Sequence, residues 1–552
     1  MKKTVVKRQS LYIGLIILFI GVFIIIEIIL NLCPPISRDA LIHHLAIPKI
    51  WLKQKHIHPI PWSDFSWYPM NIQLLYAICL WIGNDNMPKY IHMLFGLACS
   101  YLIYGFIKSH LGKKWALLGF VMFFSLPMIV WLSTAAYVDL GMTFFSSASI
   151  IYYIKFQREN SNQLKYLIVS AIFIGMAMGS KYNALIVFFF INIAWIYISI
   201  KSKKNYDQSM AYGLTFFLIA CLVASPWYIR NLIETGNPFY PLFNHFFHRF
   251  ISTPSHPLYC SQLIAEPSVN AITLRHILFN ETLLETLLIP VRMFFQGSDY
   301  QYQYFQGVLN PMMIIFIPFA LIRRFRHQWM LFVLSFIVFY VYVAFFTTMH
   351  QIRYLLPIFP FMCILSVFGC HACFQMLDNS NIYFKIIRWC LVLTMGYLFF
   401  LNVQYLHHRF VEIDPIPYIS GKETKEAYLK KHLSHYEVYA YINEKLPQES
   451  VVLTFFLGRR GYYLNCTYKH EPYFGIHLLQ CMIKNAYSEK AFHAYIEKLN
   501  ITHILVRKNL IEKHLSERYS PEERQLLNKR IQSHFKLIYY QNGYVLWQVK
   551  WH

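Results

Sequence analysis

Acidic residues are scarce in this 552-residue chain: 27 Asp and Glu stand against 50 Lys and Arg, and charged residues of both signs make up only 14% of it. A soluble protein carries about 25% charged residues, so the deficit excludes one soluble globular body. No set combining Cys-x-x-Cys with His-x-x-x-His is present, which leaves no sign of a structural zinc site. No internal repeat or low-complexity stretch is found, and the paired halves usual in transporters are not apparent. The first apolar run is followed by no small-x-small cleavage site, so it reads as a retained helix rather than a signal peptide.

What the chain does have is hydrocarbon. It is 56% hydrophobic, with a mean hydropathy of +0.37, and apolar runs of about 18–20 residues recur along it, as in a multi-span helical membrane protein. The net charge of +23 is no argument for nucleic acid, because the basic residues collect in short loops between the runs. Such loops face the cytoplasm under the positive-inside rule. Of the eleven cysteines, most lie in apolar spans and act as small hydrophobes. Cys466 and Cys481 could bridge in an oxidising compartment, but their spacing does not demand it.

Charge parity gives a topology. The basic N-terminus, Lys113-Lys114, Lys155 with Arg158, Lys201-Ser202-Lys203-Lys204 and Arg323-Arg324-Phe325-Arg326 all read as cytoplasmic. They do so consistently only if the apolar stretch 70–83 lies in the interface instead of spanning. Eleven spans then run near 11–32, 89–108, 115–132, 140–156, 165–180, 183–200, 210–228, 308–322, 329–347, 354–374 and 386–403. Residues 1–404 form a mainly α, polytopic membrane domain with interfacial helices in its first outer loop. Residues 405–552 change character: charges rise, and helices alternate with short strands at 451–456 and 502–506. A hairpin at 535–547 turns at Asn542-Gly543. This is a small α/β domain outside the membrane.

Two carboxylates stand out, because an acid beside hydrocarbon costs about 2.5–3.5 kcal/mol at a helix centre. Asp39 opens the first outer loop and Asp139 stands where a later helix re-enters the membrane; the count places both outside. Asp39 and His43 are four residues apart and share a face if 39–53 is a helix broken at Pro48, which suits a general base and its orienting partner. Asp39 could equally cap a helix opening at Ala40, and the two roles are compatible. Asp139 has the same choice. Lys181, Arg230 and Arg353 are cations in outer turns, against the positive-inside trend. They could receive an anionic headgroup or only snorkel to the interface.

The segments Asp39-x-x-x-His43-His44-Leu45-x-x-Pro48-Lys49, Tyr137-Val138-Asp139-Leu140, Gly179-Ser180-Lys181-Tyr182, Pro226-Trp227-Tyr228-Ile229-Arg230-Asn231 through Gly236-Asn237-Pro238, and Gln351-Ile352-Arg353-Tyr354 stand in this order. The order resembles C-type, polyprenyl-phosphate-sugar-dependent membrane glycosyltransferases, in the protein O-mannosyltransferase and aminoarabinose-transferase-like branch. The resemblance covers roughly residues 10–400. It implies inverting transfer of a lipid-linked sugar to a lipid, glycan or protein hydroxyl at the outer face of the bacterial inner membrane, with the N-terminus cytoplasmic and the C-terminal domain periplasmic. It makes Asp39 the general base, with Asp139 in the same cavity and His43 and His44 supporting. Lys181, Arg230 and Arg353 become the donor-phosphate residues, and with a monophosphate donor neither metal nor cofactor is required. Many relatives carry Asp-Glu at the first site where this chain has Asp39-Ala40, a departure that bears on the acceptor. A lipid-linked oligosaccharide polymerase or ligase, and more distantly a transporter, are the competing readings.

Overall fold

A computed structural model describes residues 2–158, 163–202, 206–247, 271–322, 324–346, 351–379, 381–471 and 478–550. Lys203, Lys204, Arg323, His350 and the stretch 248–270 of the long outer loop lie outside the described residues.

The apolar runs become helices. Among the described residues, six are long and apolar enough to cross a membrane: Ile13–Asn31, Met87–Leu111, Asp207–Thr235, Gln328–Phe345, Ile352–Met376 and Ile382–Ile413. A bent pair, Lys113–Phe124 and Pro127–Ser133, makes a seventh, folded by 65° at its break. The bend replaces the straight span expected at 115–132. Its cause is Pro127, which lacks an amide hydrogen and forces the preceding Leu126 into extended geometry (ψ 136°).

The span expected at 308–322 is not one helix. It is two four-residue pieces, Met312–Ile315 and Ile317–Ala320, each entered through a proline, Pro311 and Pro318. The pieces press on the helix Phe359–Met376 at Gly369, where a Cβ would stand 1.8 Å from the Phe316 carbonyl oxygen. The stretch 70–83 forms Asn71–Trp81. Eleven residues at 1.5 Å rise reach about 16 Å, half of a hydrocarbon core.

The helix Asp139–Arg158 sits in the middle of the bundle and is buried along most of its length. Its two ends mark two sides. At Arg158 the guanidinium contacts His110 (2.6 Å) and His110 faces His327 (5.9 Å), so three of the basic loops share one end. About 30 Å away by helix rise, Asp139 lies at the end that carries the first outer loop and the C-terminal unit.

That unit is a five-stranded sheet in the order β2-β1-β3-β5-β4, with β1 Val451–Phe455, β2 Thr467–His470, β3 His503–Arg507, β4 Phe535–Gln541 and β5 Tyr544–Val549. β1 runs parallel to β2 and β3, while β5 is antiparallel to β3 and β4. The last hairpin turns at Asn542 (φ 51°) and Gly543 (φ 77°), the positive-φ pair that the right-handed strand twist favours. Cys466 is a free, buried thiol and is not bridged to Cys481.

Docking is polar and specific. The Lys49 ammonium, on helix Ala46–Gln54, donates to the carbonyls of Tyr462 (2.8 Å) and Leu464 (3.0 Å). The Tyr463 hydroxyl donates to the Pro35 carbonyl (2.8 Å). Burial pulls the Lys49 ammonium down to about 8.

Gly369→Ala is expected to lower folding stability by about 2 kcal/mol, because the neighbour it meets is backbone and cannot give way. Gly396→Ala, whose added methyl meets nothing within 4 Å, should be neutral or slightly stabilising. Thermal unfolding in detergent would separate the two.

Candidate active site

Asp39 follows the first span and stands at the head of a five-residue π-helix, Ala40–His44, closed by the Leu45 amide on the Ala40 carbonyl (2.9 Å). Single π turns cluster at functional sites, and this one replaces the ordinary helix expected from 39 onward. Asp39 occupies the capping position, yet its side chain makes no capping bond. Its amide donates to the Tyr137 hydroxyl (3.1 Å), and its carboxylate accepts from Arg353 Nη1 at 2.5 Å. Burial is the largest influence and pushes this carboxyl up, but the charge and hydrogen bond of Arg353, with the charges of His43 and Arg38, together outweigh it and hold the group at about 2.

Arg353 is aimed from both sides. Its Nε donates to Gln351 Oε1 (2.8 Å), and the neighbouring Ile352 amide donates to the Phe305 carbonyl (3.0 Å). Phe305 is braced in turn by the buried Arg275, which lies over its ring and grips Glu281 with two bonds of 2.6 and 2.7 Å. The segment 275–305 thereby holds the phosphate candidate in place.

Asp139 is fully buried. Oδ1 accepts from the Lys181 ammonium at 2.6 Å, and Oδ2 has no hydrogen bond. The capping role open to Asp139 is filled by another residue: His92 Nε2 accepts from the Leu140 amide (2.9 Å). Its Nδ1 faces the carbonyls of Leu132 (2.8 Å) and Ala135 (2.9 Å).

The two ion pairs meet at one aromatic ring. Lys181 lies 5.3 Å from the centroid of Tyr354 and Arg353 lies 5.4 Å from it; Arg353 also covers Tyr137 at 5.5 Å. Asp39, Asp139, Lys181 and Arg353 are therefore brought together. His43 stacks on Phe65 (4.4 Å) with a buried Nδ1 that bonds to nothing, and burial lowers its imidazole to about 4. His44 pairs its Nδ1 with Gln73 Nε2 (3.1 Å). Arg230 is not drawn into this cluster. It donates to Asn231 Oδ1 (2.9 Å) and the Ser66 carbonyl (3.1 Å) and lies over Trp67 and Trp227.

Tyr137, Tyr354, Gln73 and His92 were missed. The two tyrosines sat inside motifs already singled out, whereas His92 stands in an apolar span with no motif around it. Among the described residues, no three His, Cys, Asp or Glu side chains converge as metal ligands.

Part of the multi-span bundle matches one family profile, and the fold as a whole resembles two solved proteins. Residues 88–247 match the profile of the dolichyl-phosphate-mannose-protein mannosyltransferase family. The fold resembles ArnT from Cupriavidus metallidurans bound to undecaprenyl phosphate, with 11% identity, a TM-score of 0.56 and coverage of 97% of this chain and 98% of that one. ArnT in the apo state gives 10%, 0.54 and the same 97% and 98%. The oligosaccharyltransferase AglB from Archaeoglobus fulgidus, in complex with an inhibitory peptide and a dolichol-phosphate, gives 11% and 0.51 over 96% of this chain and 74% of that one. No curated protein sequence matches the chain.

Lys181→Met should destabilise the protein by about 3–5 kcal/mol, because it strands a buried carboxylate without its cation. Adding Asp139→Asn should restore much of that loss. Chemical unfolding of both variants checks this, and equal stabilities would remove the pair from the argument.

Proposed function

We propose that the chain moves a sugar from a polyprenyl-phosphate donor to a hydroxyl of a lipid, glycan or protein acceptor, with inversion, at the outer face of a bacterial inner membrane. The N-terminus is cytoplasmic and the domain 405–552 periplasmic in this reading. The observation that carries it is the shared aromatic ring between the two ion pairs, since it puts two cations and two carboxylates at one end of the bundle. The binding of undecaprenyl phosphate by ArnT and of dolichol-phosphate by AglB supports the donor class.

The chemistry follows from charge. A polyprenyl chain must stay in hydrocarbon while its sugar reaches water, so the reaction belongs at the membrane edge. Asp39 takes the acceptor proton as the acceptor oxygen attacks the anomeric carbon. The bond to the phosphate oxygen breaks, its electron pair stays on the phosphate, and Lys181 and Arg353 hold the charge that develops there. Asp139 holds Lys181 in place, while Arg230 braces the loop at 66–67.

At about 2, Asp39 in its Arg353-paired form is a weak base. A donor phosphate competes for the same guanidinium. Once Arg353 turns toward it, burial is opposed only by His43 and Arg38, and the carboxyl rises toward its ordinary value of about 3.9. The base thus strengthens when the donor is present.

Asp39→Asn should abolish transfer of radiolabelled sugar from polyprenyl phosphate in isolated membranes while insertion and folding are kept; full activity in that variant would sink the assignment. Arg353→Gln should lower kcat/KM and also move the acid limb of its pH profile upward by about one unit or more. The sign follows because a lost cation favours the protonated acid, so the base is lost at higher pH. An unmoved limb would uncouple Arg353 from the ionisation that limits the rate.

A further inference from the structure

The C-terminal sheet has two apolar faces. Val452, Leu505 and Leu546 lie on one, which packs toward Ile50 of the membrane domain. Ile504, Val506 and Val545 lie on the other, beneath the helices Lys508–Arg518 and Pro521–His534. These helices do not close over the sheet. A cavity of about 380 Å³ remains between them and it, with Leu537 and Tyr540 of β4 at its rim. Protein interiors are close-packed, with few voids larger than a water molecule. This volume lies instead in the range of small-molecule sites, about 300–1,000 Å³.

The shape of the cavity follows from the strand order. Its lining runs from β4 across β5 and β3 to Phe455 on β1. That is three inter-strand steps, about 14 Å, so the cavity is long rather than round. Ile504, Val545 and Trp547 complete an apolar floor, and Ile511 and Ile531 project from the two helices. The rim is built by a bulge. Residues three apart on a regular strand face opposite sides, but the register shifts between Leu537 and Tyr539. Leu537 therefore lies opposite Trp547 and Tyr540 opposite Val545, on one face. Bulges beside binding sites re-aim side chains in this way. Leu537 is 55% exposed and Tyr540 59%, on an edge strand where charged residues are the usual protection.

Lys508, Glu512 and Asn528 supply the charged and amide groups of the lining, and none of the three is buried. A sugar would need polar partners along the floor, which this cavity does not offer. Lys508 is fixed at its main chain, where its amide donates to the Gly543 carbonyl (2.8 Å). Its ammonium lies 5.1 Å from the centroid of the Tyr540 ring. Its carboxylate neighbour, Glu512, is 3.9 Å away and exposed, and such a pair is weak enough to yield to another acid. Lys508 also follows β3 directly, at the carboxyl ends of the parallel strands β1 and β3, where open α/β sheets bind ligands. We infer that the cavity binds a fatty acid, its hydrocarbon chain laid across β5 and β3 and its carboxylate on Lys508. The site is separate from the Asp39 cluster and does not depend on the role given to that residue.

The test uses the full chain in nanodiscs and a long-chain fatty acid bearing a photoreactive diazirine near its chain end, with adducts mapped by mass spectrometry. Labelling of the membrane spans by probe dissolved in the bilayer gives an internal reference. Adducts should also appear within 455–547. Excess dodecanoate should suppress these about threefold better than dodecanol at equal free concentration, and Lys508→Gln should erase that difference. Ile531→Trp and Leu515→Trp, which fill the cavity from its two helices, should each remove these adducts while span labelling and thermal unfolding stay unchanged. A wild-type chain with no adducts within 455–547 overturns the inference. So do adducts that survive both tryptophan variants, or equal suppression by the acid and the alcohol. The competition needs no variant, so it decides the matter even where a substitution disturbs folding.

Discussion

The pair Asp39–Arg353 joins positions 314 residues apart and gives a carboxylate at the edge of hydrocarbon its cation. Much else is arranged around it. The π turn presents Asp39, the segment 275–305 steadies Arg353 through Phe305, and Tyr137 touches both partners. A buried ion pair is weak evidence for stability, since a hydrophobic replacement of similar volume is often as stable. Intramembrane charges are retained for function by default. Two such pairs meeting at the Tyr354 ring make a structural role alone a poor account of the cluster.

The four charged members of the cluster were legible because each broke a local rule: two acids beside apolar runs and two cations in turns on the wrong side. Their pairing was not legible, since no periodicity reports a distance across the chain. The bracing of Arg353 by the aromatic-rich stretch after Gly297 depends on Arg275 and Glu281, which carry no sequence signature. Arg230 looked equivalent to Lys181 and Arg353. What separates it is Asn231, the next residue, together with two tryptophans that already occupy its guanidinium.

Fold class followed from composition, but helix integrity did not. Hydropathy averages over a window and is blind to Pro127 and Pro318, so two expected straight spans are a bent pair and a broken one. In the C-terminal unit the short strands and the Asn542-Gly543 turn were visible, because turn chemistry is local. Its docking on Lys49 was not, because the acceptors are main-chain carbonyls that any residue would offer.

His92 carries a consequence for proton traffic. Its Nε2 accepts an amide hydrogen while its Nδ1 faces two carbonyls, which only a donor can satisfy. That combination admits a single neutral tautomer, with the hydrogen on Nδ1. A second ring proton would have to displace the Leu140 amide and uncap the helix that begins at Asp139. The imidazole is thus locked out of any relay, and a proton released near the two carboxylates must leave toward water by another route.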